Sequence, residues 1–388
     1  MNILSIIRNL LLSLFLVYYS QGSFYPSGSI ISQGALVLIL CISGIFFFKT
    51  LLLNHPKSLF FKTWTFLLIL NVIGFVFTGD HSNPHHFSMF KGILVCSLTF
   101  YPFYHLSKKG IFRTEHLKWF FIILLPITII QYFFTSTQIL SEQLNDNTDV
   151  VNNLSYSFVS LIPFVFLFNR NKIISSLLML ILIFFIIQGA KRGAFIAGII
   201  GLLLFIYYQL RTVAYKNKLN GYIILIISIS GLTYFGYEFI ISNEFLTYRI
   251  LKLFNSDGSS GRNIIYANIF ESWYDSHNFY NILFGFGFAA SLRLSGTGNF
   301  AHNDWLELLS NFGLLGVFVY SVLIFSVLRY LFKNYLYVDS KLLLITILLI
   351  WLLTSAVSMF YTSMSGYLTS IFLAYLFGAK EKLLGFKL

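Results

Sequence analysis

Residues 173–210 read IISSLLMLILIFFIIQGAKRGAFIAGIIGLLLFIYYQL. Two apolar runs flank one short polar corner, Gly189-Ala190-Lys191-Arg192-Gly193. A bilayer core about 30 Å thick takes about 20 helical residues to cross. Hydrocarbon tolerates only backbone that satisfies its own hydrogen bonds. The stretch therefore predicts two membrane-spanning helices, 173–189 and 193–210, with two cations at their junction.

The pattern recurs in both directions. Of 388 residues, 57% are hydrophobic and 10% charged, with 45 Phe and 24 Tyr. Soluble domains carry about 25% charged residues. The expectation is an all-α polytopic integral membrane protein, a single membrane domain over 1–388 with no separate soluble domain. Further spans are predicted at 3–20, 29–48, 63–78, 88–106, 119–137, 154–168, 221–241, 305–328, 342–360 and 362–378, for a total of about twelve. The first run lacks a convincing small-residue cleavage site and is expected to be retained as a helix. Cys41 and Cys96 lie within apolar runs, read as small core residues, and predict neither a disulfide framework nor a metal motif.

The net charge of +12 would suit nucleic acid if it were clustered. Instead the basic residues sit in short connections between apolar runs, which is a topology signal. Most of the 26 Lys and Arg residues fall in alternate connections and near the termini, and most of the 14 carboxylates fall in the others. The basic side is then cytoplasmic, both termini included, and no nucleic-acid partner is expected. Lys91, Lys191, Arg192, Arg249, Lys252, Arg262 and Arg293 fall on the opposite, acidic side. A cation near the membrane and against the topology signal costs solvation, and it calls for an anionic partner.

Most of these exceptions lie in or near a polar interruption, 242–304, read as a large extracytoplasmic loop. Within it, Arg262 to Tyr274 predicts a short helix capped by Ser259 or Ser260, with Ile265, Ile269 and Trp273 as an apolar stripe. The glycines from Gly285 to Gly298 predict irregular, closely packed backbone. Asp304 with Glu307 forms a capping-box-like start to the next span, which puts His302 just outside a helix N-terminus.

Several side chains could carry chemistry. Lys191 and Arg192, between glycines, fit a phosphate-binding corner, or a plain helix turn with snorkelling charges. Arg262 can grip a pyrophosphate through two parallel hydrogen bonds at a helix N-terminus, or pair with Asp257. His302 fits a general base or a partner for a sugar hydroxyl, or a satisfied interfacial histidine. Asp304 and Glu271 are second choices for the base and candidates for substrate binding. Arg249, Lys252 and Arg293 would bind substrate, or pair with Glu244, Asp257 and Asp275. Asp80, His81, His85 and His86 look like metal ligands, although a solvated, Pro-containing loop accounts for them without a metal. No nucleotide-binding glycine loop and no CxxC occurs.

Four segments carry a resemblance: Gly189-Ala190-Lys191-Arg192-Gly193-Ala194; Ser260-Gly261-Arg262; Leu283-Phe284-Gly285-Phe286-Gly287-Phe288; and His302-Asn303-Asp304-Trp305 on to Gly313-Leu314-Leu315-Gly316. With them the chain resembles the bacterial O-antigen ligase and polymerase superfamily, which includes Wzy-type polymerases of O-antigen, capsule and exopolysaccharide. The motif match is confined to about residues 189–316, while the architectural resemblance covers the whole chain. The resemblance implies a fold similar to the C-type glycosyltransferases (GT-C-like) and a metal-independent glycosyl transfer that needs no cofactor. It implies a location in the bacterial inner membrane with the active site on the outer face. The implied partners are undecaprenyl-pyrophosphate-linked glycans and membrane lipid, with a chain-length regulator and a flippase as further partners. The family's basic residues map to Arg192 and Arg262, and its histidine to His302. Many relatives have Ser-Arg where this chain has Lys191-Arg192, which leaves the role of Lys191 open. The expected function is polymerisation of lipid-linked repeat units. The alternatives are an O-antigen ligase acting on lipid A-core and, from another class, a lipid-linked oligosaccharide flippase.

Overall fold

The computed structural model describes residues 2–26, 28–53, 58–142, 151–168, 171–212, 261–333, 338–362 and 366–385, with isolated positions between 226 and 247. Among the described residues every regular element is a helix. In chain order these are α1 (Ile3–Tyr19), α2 (Ile30–Leu53), α3 (Leu59–Thr78), α4 (Pro84–Leu98), α5 (Phe100–Lys108), α6 (Thr114–Glu142) and α7 (Ser155–Val165, continued by the 3-10 turn Phe166–Phe168). Then come α8 (Lys172–Gln188), α9 (Arg192–Thr212), α10 (Arg262–Tyr274), α11 (Phe279–Phe284), α12 (Ser291–Leu294), α13 (Asp304–Lys333), α14 (Val338–Val357) and α15 (Gly366–Gly385).

Six of them, α2, α3, α6, α9, α13 and α14, are long and apolar enough to cross a membrane. Shorter apolar helices are α1, α7 with its 3-10 turn, α8 and the first part of α15. The chain is a membrane-embedded helical protein. Large apolar side chains such as Ile45, Phe77, Phe318 and Phe325 stay exposed on these helices, as a surface facing hydrocarbon requires. The predicted span 221–241 lies largely outside the described residues, as do Arg249 and Lys252.

Two sequence expectations need correction. The predicted span 88–106 is two helices, α4 and α5, parted at Thr99. Pro102 has no N–H to give to the carbonyl of Leu98, and the Thr99 hydroxyl bonds back to the Val95 carbonyl, which bends helices. Cys41 is exposed on α2, while Cys96 is buried and reaches Ser370 at 3.6 Å.

The interior is built from aromatic rings and small residues. Phe60 stacks on Phe377 at 4.4 Å and Phe15 on Tyr367 at 4.9 Å. A Cβ on Gly378 would lie 2.6 Å from the Tyr104 carbonyl oxygen, so α15 rides directly on the backbone of α5. Such close approach is how membrane helices gain packing where water does not drive association.

The loop is docked onto this bundle through backbone. Helix α13 is broken at Gly313 (φ 59°, ψ −150°), which takes the carbonyls of Ser310 and Asn311 out of the helical ladder. They accept from Phe286 N–H at 2.8 Å and Gly287 N–H at 3.2 Å. The Asn311 side chain accepts from Ala290 N–H at 3.0 Å, and Thr78 at the end of α3 accepts from Phe288 N–H at 2.8 Å. Gly285 (φ +76°) faces Gly313: a Cβ on Gly285 would sit 2.5 Å from Phe312 N, and one on Gly313 would sit 2.5 Å from the Ile282 carbonyl oxygen.

Gly285→Ala should therefore combine the left-handed backbone penalty with a clash against immovable backbone, about 2–5 kcal/mol together. Gly298→Ala has a similar φ but open space around it and should cost only about 1–2 kcal/mol. Thermal unfolding of the two variants in detergent checks this, and equal midpoints would contradict the docking.

Candidate functional site

The site starts from the end of α14. The last carbonyls of a helix have no intrahelical donor, and they carry partial negative charge. Here the Ala356 carbonyl accepts from Asn303 Nδ2 at 3.0 Å, and the Val357 carbonyl accepts from the Arg262 guanidinium. Arg262 is the first residue of α10, which starts from Gly261 (φ 78°) with no side-chain cap. The predicted caps Ser259 and Ser260, and Asp257, lie outside the described residues. A guanidinium has five N–H groups, so capping α14 occupies only part of it.

The α8–α9 turn meets the same place. A Cβ on Gly193 would lie 2.2 Å from the Tyr156 hydroxyl and 2.7 Å from Val357 Cγ2. Tyr156, at the start of α7, also lies against Arg262 and Ser358. The turn itself is pinned: Asn152 N–H donates to the Gly189 carbonyl at 3.0 Å, and a Cβ on Gly189 would sit on the Ser155 hydroxyl. Lys191 and Arg192 are both half-buried at this corner, and Arg192 opens α9.

His302 completes the group. It is half-buried, with a left-handed backbone (φ 51°) that is uncommon outside glycine, and its carbonyl accepts from Tyr266 Oη at 3.4 Å. Its pKa lies below the ordinary histidine value. Burial is the largest cause, and the positive charges of Arg262 and then Lys191 add to it. The imidazole is therefore neutral near pH 7 and able to accept a proton. Cations from two separate segments and one neutral imidazole thus share a corner. Such a corner can hold an oxyanion and take a proton from a nearby hydroxyl.

The predicted capping box does not form, and the cap lies one residue earlier. Asn303 is the cap of α13, accepting from Trp305 N–H at 2.9 Å and Leu306 N–H at 3.2 Å. Asp304, expected to bind substrate or act as a base, is wholly buried. Its carboxylate accepts from Tyr320 Oη at 3.0 Å and Phe360 N–H at 2.9 Å, while Tyr320 Oη accepts from Trp351 Nε1 at 2.7 Å. It ties the start of α13 to the segment after α14 and has no face for a ligand. Glu307, also buried, reaches back past the cap to Ala301 N–H at 2.5 Å and Ser291 Oγ at 2.7 Å, closing the loop that carries His302.

The remaining candidates lie elsewhere. Glu271 is exposed near the far end of α10, about 13 Å along the helix axis from Arg262 at 1.5 Å per residue. Arg293 is exposed on α12 and borders a groove of about 610 Å³ formed by α3, α11 and α13, with Phe77, Tyr280 and Phe284 in its walls. Asp80 accepts from Ser82, and His81 and His86 bond to local backbone. Among the described residues no group of three or more His, Cys, Asp or Glu could hold a metal ion. Sequence reading missed Tyr156, Tyr266 and the structural part of Glu307. Tyr266 had a signal, since it lies four residues after Arg262 on the same helix face. Tyr156 had none.

No protein-family model matches the chain, and no curated protein is similar to it.

Between its lowered value and the ordinary one near 6.5, His302 binds fewer protons in the folded chain than in the unfolded one. Its contribution to stability therefore falls as pH drops through 6.5. Arg262→Gln should raise the His302 pKa, and Lys191→Gln should raise it less. A pH titration of the His302 ring by NMR in detergent reads both. A value indifferent to Arg262 would dissolve the cluster.

Proposed function

We propose that the protein is a membrane glycosyltransferase that polymerises O-antigen, capsule or exopolysaccharide repeat units. The observation that carries this reading is that Arg262 and Asn303, next to His302, both cap the end of α14, against which Gly193 of the Lys191-Arg192 turn packs. The motif resemblance at residues 189–316 points to the same residues. In this reading the fold is GT-C-like, with about twelve crossings. The protein sits in the bacterial inner membrane, both termini are cytoplasmic, and the cation corner is on the outer face.

Donor and acceptor are both glycans linked to undecaprenyl pyrophosphate. The non-reducing-end hydroxyl of one attacks the anomeric carbon of the other. A new glycosidic C–O bond forms, the bond from that carbon to the pyrophosphate breaks, and undecaprenyl pyrophosphate departs with the bonding electrons. Arg262, Arg192 and Lys191 stabilise the charge that develops on the leaving group. His302 takes the proton from the attacking hydroxyl. The energy is stored in the sugar–pyrophosphate bond, so no nucleotide is required. A chain-length regulator and a flippase would work beside it.

Arg262→Ala, Arg192→Ala and His302→Ala should each lower polymer formation about a hundredfold or more at matched expression. Polymer ladders on gels give the readout, and near-normal ladders from all three would remove the assignment. Purified protein given only lipid-linked glycan should lengthen it. Transfer that needs a lipid A-core acceptor would identify a ligase, and transbilayer movement without new bonds a flippase.

A further inference from the structure

Lys91, like Arg293, is a described basic residue on the expected acidic side that lies outside the cation corner. It lies two turns into α4, beside a cavity of about 540 Å³ among the end of α1, the start of α2 and the segment after α14. Tyr18, Gln21, Gln33, Ser88 and Thr362 share that cavity with it. Lys91 is half-buried, and its Nζ stands 5.9 Å from the centre of the Phe87 ring. Among the described residues no carboxylate pairs with it. Among those same residues the side chains of Gln33, Ser88 and Thr362 make no hydrogen bond. One cation and three neutral polar groups therefore face one space with hydrogen-bonding capacity unused among the described residues.

The composition of the lining selects the ligand. A single ammonium matches a single negative charge. Amides and hydroxyls match the hydroxyls of a polyol. The surroundings select its source. Leu36 and Val95 form apolar wall, and Ile30, Ile31 and Phe87 on the same helices are exposed large apolar side chains, as at a lipid contact. A polar cavity with one cation and an apolar rim suits a headgroup whose chains remain in the bilayer.

We infer that the Lys91 cavity binds the glycerophosphate headgroup of an anionic phospholipid. Lys91 holds the phosphodiester, and Gln33, Ser88 and Thr362 hold the headgroup hydroxyls. The inference is independent of the glycosyl-transfer reading.

The test uses the full chain purified in a neutral detergent. Short-chain phosphatidylglycerol, phosphatidylcholine with the same chains, and glycerol 3-phosphate are titrated while the unfolding midpoint is followed, because a ligand of the folded state raises it. Phosphatidylglycerol should raise the midpoint at lower concentration than phosphatidylcholine. Lys91→Gln should weaken that response about tenfold or more, as losing a hydrogen bond to a charged group does, and Lys91→Arg should keep most of it. If Lys91→Gln does not fold, the double variant Gln33→Ala, Ser88→Ala should show the same weakening. Equal responses to the two lipids, or a response unchanged in the variants, would overturn the site. A response to glycerol 3-phosphate as strong as to phosphatidylglycerol would overturn the lipid as its source.

Discussion

The contact between Gly285 and Gly313 sets the position of everything in the loop. Breaking α13 at Gly313 releases the carbonyls of the buried residues Ser310 and Asn311, and an unsatisfied backbone group is expensive there. The amides of Phe286 and Gly287 fill that need, and they can reach it only because neither glycine has a Cβ. Once 285–290 is fixed, the buried Glu307 fixes the return of the chain through Ser291 and Ala301. Asn303 and His302 follow with no freedom left to place them. The geometry of the corner is a consequence of helix hydrogen bonding some ten residues away.

Electrostatics then decides what that corner tolerates. A half-buried guanidinium needs acceptors, and the free carbonyl end of α14 supplies one with the right partial charge. Among the described residues no carboxylate pairs with Arg262, and this carbonyl is the acceptor that holds it. Burial lowers the His302 pKa most, and the positive charges of Arg262 and Lys191 lower it further.

Much of the fold was legible in the sequence because hydrocarbon enforces a simple rule: long apolar runs become helices. The α8–α9 junction at Lys191-Arg192 and the helix starting at Arg262 could be read that way. The break at Thr99 also had its sign, Pro102, hidden by the unbroken apolarity around it. Local chemistry was more ambiguous. Asn303 and Asp304 are both good caps, and only packing chose the first and buried the second. What could not be read was partnership across distance. Gly285 and Gly313 each announce unusual backbone but not each other, and nothing near Tyr156 points to Arg262. The chain closes such contacts in three dimensions, and a single sequence has no periodicity that records them.

The capping of α14 by Asn303 and Arg262 also limits how the molecule can move. A loop that swung away as a hinged flap would strip donors from both terminal carbonyls of that helix at once, at about 1 kcal/mol for an ordinary hydrogen bond and more for the charged one. Loop and helix end are mechanically one piece. Motion that spares those bonds carries α14 along with the loop.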